Sequence, residues 1–234
     1  MVVYDTMAPE YAEKFVEDLQ SRGSAETAKH IARYLKTSQL EFYGLHLPVI
    51  HKITTKYTKK MILSDLKELM LDLWKKPIFE VRRAAINILE KYAKAGAVYP
   101  TLKIASDWIR EIDTWALLDP LATPCLGILL LRDWAVEKTL ISWQESDNFW
   151  RRRASVLPYH HLCRTKIYKE EYTEKIVSAV LPHITDKEFF VGKAAGWGLR
   201  ELSKKNPTAV REFIEQYGNK MTALVRREGS KKLE

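Results

Sequence analysis

The sequence is poor in the residues that break helices or cross-link a chain: nine glycines, nine prolines and two cysteines among 234 residues. Cys125 and Cys163 have no CxxC partner, which excludes a disulfide framework and predicts two buried free thiols. With 46% hydrophobic and 29% charged residues, the scarcity of glycine and proline argues against a disordered chain. We expect a folded, helix-rich protein.

Long apolar runs and clustered metal ligands are also missing. The longest apolar candidate, "LATPCLGILLL", contains Pro124 and stops at Arg132, so no membrane-spanning segment is predicted. The opening "MVVYDTMAPEYAEKF" has no basic segment leading into an apolar stretch, so no signal peptide is expected. His160, His161 and His183 do not belong to a Cys/His/Asp cluster at ligand spacing. We therefore predict a cytoplasmic protein with no membrane association, no metal and no cofactor.

Positive charge is in excess. The formal net charge is +8 and the calculated pI is near 9.3. Such a balance favours an anionic partner, and nucleic acid, an anionic membrane surface and an acidic protein all satisfy it. Charge alone leaves these three classes open.

Hydrophobic periodicity predicts helices almost throughout. In "SAETAKHIARYLK" the apolar residues recur at helical spacing, and "LSDLKELMLDLWKK" ends just before Pro77, as helices tend to do before proline. Short connections such as "KAGAVYP" and "KKNP" carry the expected breakers. We predict roughly ten to twelve helices and no strand.

Three segments align without gaps, which indicates an internal repeat. They begin at Ile78, Asn148 and Glu188 and read "IFEVRRAAINILEKY", "NFWRRRASVLPYHHL" and "EFFVGKAAGWGLREL". A step of 40 residues separates the last two, and the same step back reaches a weaker copy that opens at Ile109. The register defines an apolar column (Phe79, Ile109, Phe149, Phe189), a small-residue column (Ala84, Thr114, Ala154, Ala194) and a charged column (Arg83, Asp113, Arg153, Lys193).

A spacing near 40 with an arginine before two small residues is typical of HEAT-like helix pairs. We predict an all-α, HEAT-like helical-repeat solenoid (an α–α superhelix) formed by a single domain over residues 1–234. In such a solenoid the second helix of each pair lines a concave surface, so the charged column would become a row of neighbours.

Four pieces of the chain resemble the AlkD-like DNA alkylation repair proteins: "ARYLK" at 32–36, "SDNFWRRRA" at 146–154, "KEFFVGKAAGWGLRE" at 187–201 and "NPTAVREFI" at 206–214. The resemblance runs over nearly the whole chain, and the "KEFFVGKAAGWGLRE" piece is the most specific. It implies a concave, basic DNA cleft and a monofunctional glycosylase that excises N3- and N7-alkylated purines, such as 3-methyladenine and 7-methylguanine, from duplex DNA in base excision repair. It implies no cofactor, and we expect a monomer.

The same resemblance implies roles for single residues. Asp113 matches a catalytically important aspartate, Trp197 an aromatic residue facing the lesion, and Arg153 an arginine at the DNA backbone. Tyr34 corresponds to an aromatic residue near the cleft. From the repeat register, Arg83 and Lys193 share the position of Arg153, and Arg152 is expected to assist at the rim.

One departure from the family pattern concerns the residue four positions before the aspartate. The family has a tryptophan there, whereas this sequence has Ile109, with Trp108 one residue earlier. Trp108 is therefore a candidate replacement in the active site. The departure also motivates an alternative function, a HEAT-repeat protein that binds damaged or branched DNA without catalysis. A scaffold for acidic proteins is a third hypothesis.

Overall fold

Helices account for nearly all the regular structure of the chain. The computed structural model describes residues 9–233, so most of the opening segment tested for a signal peptide lies outside the described residues. Within residues 9–233 there is no strand, and the only β-type pairing is an isolated bridge between Glu41 and Ile78. The all-α prediction is confirmed.

The backbone divides into two compact units between Ala97 and Val98. The prediction of one repeat domain over residues 1–234 stays a prediction. The first unit contains helices α1 (Pro9–Gln20), α2 (Ala25–Tyr34), α3 (Leu47–Thr58), α4 (Leu63–Trp74) and α5 (Phe79–Ala93).

In the first unit, a buried glutamate holds the segment between α2 and α3 against α5. The Glu80 carboxylate accepts hydrogen bonds from the backbone N–H groups of Tyr43 (2.9 Å), Gly44 (2.8 Å) and Leu45 (3.1 Å). Gly44 has φ +82°, a left-handed conformation that glycine adopts at little cost. The three N–H groups satisfy the carboxylate and explain how Glu80 is fully buried.

The described residues of the second unit form nine α-helices and one π-helical segment, Leu121–Leu126. The helices are α6 (Val98–Glu111), α7 (Trp115–Pro120), α8 (Gly127–Arg132), α9 (Glu137–Ser142), α10 (Phe149–Leu162), α11 (Tyr172–Val180), α12 (Phe189–Ser203), α13 (Pro207–Tyr217) and α14 (Ala223–Ser230). Helix α12 packs against α10 and α14, and α10 packs against the π-helical segment. Helix α12 therefore lies at the centre of the packing that positions the candidate site.

The described residues form more helices than the ten to twelve predicted, because the apolar stretch after residue 114 is broken into short pieces. Pro120 and Pro124 remove two backbone donors, and the chain from Leu121 to Leu126 adopts the wider π-helical turn. Asp133 then ends α8 and caps the next short 3₁₀ turn by accepting from the Ala135 N–H group at 2.9 Å. Hydrophobic periodicity alone does not show where prolines and capping residues divide an apolar run into short helices.

The run Trp115–Arg132 is long and apolar enough to cross a membrane by length and composition. Half of it, however, is buried inside the second unit. Leu117, Leu118 and Leu121 in this run are fully buried. The run therefore has the character of a core helix of a folded unit.

The repeat register is right for three copies and wrong for the fourth. The copies that begin at Ile78, Asn148 and Glu188 coincide with α5, α10 and α12. The weak copy from Ile109 instead crosses the end of α6, a non-helical connection and the start of α7. Asp113 therefore lies in a connection between two helices, whereas the charged residues of the other three copies lie on helices. It is not structurally equivalent to them.

The columns differ in how well they predict burial. Every member of the small-residue column is fully buried: Ala84, Thr114, Ala154 and Ala194. The apolar column is mixed, because Phe79 and Ile109 are buried whereas Phe189 is 55% exposed. Both cysteines are free and buried, as predicted.

Candidate active site

Arg153 lies on α10 and its side chain is directed into the protein, with 5% of it exposed. Its guanidinium donates from Nε to Oδ1 of Asp119 (2.9 Å) and from Nη2 to Oδ2 (2.7 Å). Nη1 donates to the backbone carbonyl of Phe190. This geometry does not fit the prediction that Arg153 contacts a DNA phosphate, because a buried guanidinium engaged by two partners has no face left for one.

Asp119, which the sequence analysis did not select, is the carboxylate that Arg153 holds. It lies near the end of α7, and 16% of its side chain is exposed. Burial raises the pKa of the Asp119 carboxyl, and the Arg153 guanidinium opposes that rise. Because both carboxylate oxygens accept hydrogen bonds from one guanidinium, the paired geometry is that of an ionised carboxylate.

Trp115 stands four residues before Asp119, at the first position of α7. Residues four apart lie on one face of a helix, so the indole and the carboxylate share a face. Trp115 is half-buried, and Thr114 caps its helix by accepting from the Ala116 N–H group at 3.3 Å. The tryptophan-to-aspartate spacing that the family resemblance implied at 109 and 113 therefore occurs at 115 and 119. That spacing was the signal in the sequence that could have identified Asp119.

The residues selected around α6 have a different environment. Trp108 is 3% exposed and Ile109 is fully buried, so both belong to the core of the second unit. The prediction of Trp108 as an active-site residue is corrected accordingly: an indole enclosed by helix packing offers no surface to a base. Asp113 is half-buried in the connection between α6 and α7, two residues before Trp115.

Trp197 lies on α12 with its indole held in place and half-buried. Its Nε1 donates to Oε1 of Glu201 at 3.0 Å, and its ring meets His160 edge-on with the centroids 4.7 Å apart. Burial, with the Arg153 charge as a further cause, lowers the pKa of His160 to about 3, so this histidine is neutral at physiological pH. The neutral, buried His160 ring holds the Trp197 indole in place. The part of the indole surface that His160 does not cover remains available for contact.

Glycines on both sides of Trp197 allow the neighbouring helices to approach. A Cβ at Gly196 would lie 2.5 Å from Cβ of Glu228 on α14. A Cβ at Gly198 would lie 3.0 Å from Nε2 of His160 on α10. The two glycines therefore let α10 and α14 come close to α12, and Trp197 lies between these two helices.

Lys193 precedes Trp197 by one helical turn and binds a buried carboxylate. The Glu228 carboxylate, 2% exposed, accepts from Lys193 (2.9 Å), Arg200 (3.1 Å) and Lys231 (2.7 Å). Burial acts to raise the pKa of Glu228, but the hydrogen bonds from Lys231 and Lys193 outweigh it and lower the pKa to about 2. The lysine side chain is 39% exposed, so its predicted contact with DNA stays a prediction.

Arg152 connects the start of α10 to the segment before α12. It donates from Nε to Asp186 (2.8 Å) and from Nη1 to the Ser146 carbonyl (2.7 Å), with 22% of its side chain exposed. The Arg152 guanidinium therefore links these two segments, and its predicted role at the rim of the DNA cleft stays a prediction.

The remaining two candidates lie in the first unit. Tyr34 ends α2 with 66% of the residue exposed. Arg83 on α5 is half-buried and donates from Nη1 to Oδ1 of Asn87. Their predicted contacts with DNA stay predictions. Among residues 9–233, no three histidine, cysteine, aspartate or glutamate side chains gather in a way that could hold a metal ion.

Comparison with solved structures places this fold among known helical-repeat proteins. A chain described as a predicted DNA alkylation repair enzyme from Enterococcus faecalis has a TM-score of 0.74 at 22% identity, with 89% of this chain and 95% of that chain covered. AlkD2 from Streptococcus mutans has a TM-score of 0.64 at 20% identity, with 87% and 97% covered. At these identities the similarity shows the fold, and it confirms the predicted helical repeat.

Comparison with curated proteins finds no match. The family model described as "DNA alkylation repair enzyme" matches residues 15–233, nearly the entire chain. Its range covers most of both units and every residue of the candidate site. On this match, the chain belongs to the DNA alkylation repair enzyme family.

Proposed function

We propose that the protein is a DNA glycosylase that excises cationic N3- and N7-alkylated purines, such as 3-methyladenine and 7-methylguanine, from duplex DNA. The observation that carries the proposal is the Asp119 carboxylate, held by both nitrogens of the Arg153 fork one helical turn from Trp115. Family membership supports a role in the repair of alkylated DNA. The pair and its tryptophan supply the chemistry that such a reaction needs.

The reaction needs little acid catalysis. An N3- or N7-alkylated purine already carries a positive charge, so it departs as a neutral base when the N-glycosidic bond breaks. The sugar then acquires oxocarbenium character, which a fixed carboxylate stabilises electrostatically while water adds to the anomeric carbon. We assign this stabilising role to Asp119. Water supplies the hydroxyl group to the sugar and releases one proton.

In this proposal Arg153 is a positioning residue. Its bidentate contact fixes both oxygens of Asp119 and opposes the rise in pKa that burial causes in this carboxyl. A carboxylate that is oriented before the substrate binds needs little reorganisation when charge develops on the sugar. The Phe190 carbonyl, which accepts from the same guanidinium, fixes the arginine in turn.

Two half-buried indoles support recognition of a cationic base. Trp115 and Trp197 each keep part of their surface exposed, whereas Trp108 does not. The face of a tryptophan attracts a cation, and the alkylated purine loses its charge only on departure. We assign Trp115 and Trp197 to contact with the lesion or its sugar.

The test compares two aspartates that the sequence presents six residues apart. Release of 3-methyladenine and 7-methylguanine from methylated duplex DNA is measured for the parent, Asp119→Asn and Asp113→Asn. Removal of one preorganised electrostatic group costs on the order of 100-fold in rate or more, so we expect that loss for Asp119→Asn and little change for Asp113→Asn. Circular dichroism checks that both variants fold.

Two results would contradict this assignment. A loss confined to Asp113→Asn would restore the aspartate first selected from the sequence. Absence of release by the parent at high excess would remove the glycosylase function. The second candidate function, binding of damaged DNA without excision, is favoured by one observation: Asp119 and Arg153 satisfy each other fully, as in an ion pair that only stabilises the fold.

A further inference from the structure

A polar cavity of about 200 Å³ lies in the first unit between α3 and α5. Its walls include His51 and Thr55 from α3, and Asn87, Glu90 and Lys91 from α5, with Lys94 just past the end of that helix. The walls contain no phenylalanine, tyrosine or tryptophan, and His51 supplies their one aromatic ring. Two lysines against one glutamate make the lining cationic, which favours an anionic ligand.

The hydrogen bonds around the cavity define which groups are donors toward a ligand. Lys91 donates from Nζ to the Thr58 carbonyl, which holds its ammonium group at the wall. Asn87 accepts from Arg83 through Oδ1, and this leaves its Nδ2 group as a donor. The Thr58 hydroxyl donates to the Thr54 carbonyl at 2.8 Å, so it offers no proton to the cavity.

The repeat register relates this cavity to the face of α12 that carries the candidate site. Arg83 and Asn87 on α5 occupy the positions of Lys193 and Trp197 on α12. Lys94 likewise occupies the position of Lys204. The equivalent helix in the first unit therefore keeps a cation at both charged positions and presents the Asn87 amide where the second unit presents the Trp197 indole.

We propose that the cavity between α3 and α5 binds a phosphate group of the DNA backbone, with Lys91 and Lys94 as its cationic contacts. This inference rests on the proposed DNA substrate. Lysine ammonium groups and an amide N–H bind phosphate oxygens, and such contacts position a duplex without reading its bases. Because a phosphate contact carries no information about the base, the cavity binds damaged and undamaged DNA alike.

The test removes the two lysine charges and measures binding over a range of salt concentrations. Affinity for an undamaged duplex and for the same duplex with one abasic site is compared between the parent and Lys91→Gln/Lys94→Gln. Loss of one phosphate contact lowers the slope of log affinity against log salt by about one. We expect that change for both duplexes, with affinity at low salt reduced roughly tenfold, the scale of two charge contacts at a wetted surface.

Lys75→Gln/Lys76→Gln is the matched control, because it removes two lysine charges at the end of α4, outside the cavity. We expect its salt slope to equal that of the parent. An unchanged slope in the cavity variant, or an equal change in the control, would overturn the proposal. Lys94→Glu, a single change at an exposed position, serves if the double variant fails to fold.

The outcome is separable from that of the glycosylase proposal. A parent protein that releases no alkylated base but loses salt slope in Lys91→Gln/Lys94→Gln would reject the glycosylase and support the cavity. A parent that releases base while the cavity variant keeps the full slope would do the reverse. A parent that does not bind DNA would reject both.

Discussion

Helices α10 and α12 are copies in one repeat register, but the cation at their charged position is buried on α10 and partly exposed on α12. Arg153 on α10 has 5% of its side chain exposed and is engaged on two sides by Asp119 and Phe190. Lys193 on α12 is 39% exposed and shares the buried Glu228 with other cations. Equivalent positions in the sequence therefore have different surroundings, because the neighbouring helices supply different partners.

The difference shows what each cation does for the protein. Arg153 is the only basic residue in an ion pair with Asp119 among residues 9–233, so the carboxylate depends on it. Glu228 has further partners in Arg200, Arg227 and Lys231 and does not depend on Lys193. A buried charge with one partner is expensive to disturb, whereas a carboxylate with several partners tolerates the loss of one.

The largest expected effect follows from replacing each cation by methionine. Arg153→Met leaves the Asp119 carboxylate buried without its partner, and we expect a loss of about 3–5 kcal/mol in the free energy of unfolding. Lys193→Met should cost no more than about 1 kcal/mol, because the lysine is partly exposed and screened by solvent. Urea denaturation followed by circular dichroism measures both.

A double variant serves as the control for the arginine. When both partners of a buried pair become apolar, much of the cost disappears. We therefore expect Asp119→Leu/Arg153→Met to be more stable than Arg153→Met. Equal losses in Arg153→Met and Lys193→Met would contradict the contrast between the two helices.

A second expected effect concerns pH and the histidine that α10 buries against α12. Burial and the Arg153 charge lower the pKa of His160 from 6.5 to about 3. Between these values the unfolded chain binds the proton and the folded chain does not, so stability is fully present above pH 6.5 and falls as the pH is lowered toward 3. At full difference this group contributes a slope of about 1.4 kcal/mol per pH unit.

Urea denaturation of the parent and of His160→Gln at pH 7, 6 and 5 measures that slope. Other groups titrate in the same range, including His161 and His183, each with a pKa lowered by burial to about 4. Both proteins share these groups, so the difference between their slopes isolates His160. Parallel curves would show that the pKa of His160 is the same in the folded and unfolded protein, against the lowering described above.

Most of the fold could be predicted because hydrophobic period and residue size act locally. The copies at α5, α10 and α12 were located from their spacing, and all four members of the small-residue column are buried. The helix boundaries after residue 108 were not predicted correctly, and the reason is physical. Pro120 and Pro124 force a π-helical turn in an apolar run, and periodicity does not register a change in helical pitch.

The candidate site was predicted in part. The family resemblance implies a tryptophan four residues before an aspartate, and it was applied to Asp113, which the weak repeat copy also placed in the charged column, with Ile109 at the tryptophan position. Since α6 ends at Glu111, that copy is not one helix, and the spacing is met at Trp115 and Asp119. Partners such as Asp119 for Arg153 lie 34 residues away in sequence, and only the packing of helices reveals them.

The smallest expected effect concerns two glycines of α12 that look alike in sequence. A Cβ at Gly196 would lie 2.5 Å from Cβ of Glu228, which is fixed to the backbone of α14. At Gly192 the nearest atom would be 3.4 Å away, an ordinary contact. We expect Gly196→Ala to destabilise the protein by about 1–3 kcal/mol through overpacking, and Gly192→Ala to stabilise it by up to about 1 kcal/mol through helix propensity.

Thermal or urea denaturation separates these opposite signs directly. The base-release assay adds a functional comparison, because Gly196 is adjacent to Trp197 and its replacement displaces α14 from the helix that carries the indole. If Gly196→Ala is as stable and as active as Gly192→Ala, the close approach of α14 to α12 does not determine the position of Trp197. If only Gly196→Ala loses both, the α12 face depends on backbone proximity, just as the α10 face depends on a buried ion pair.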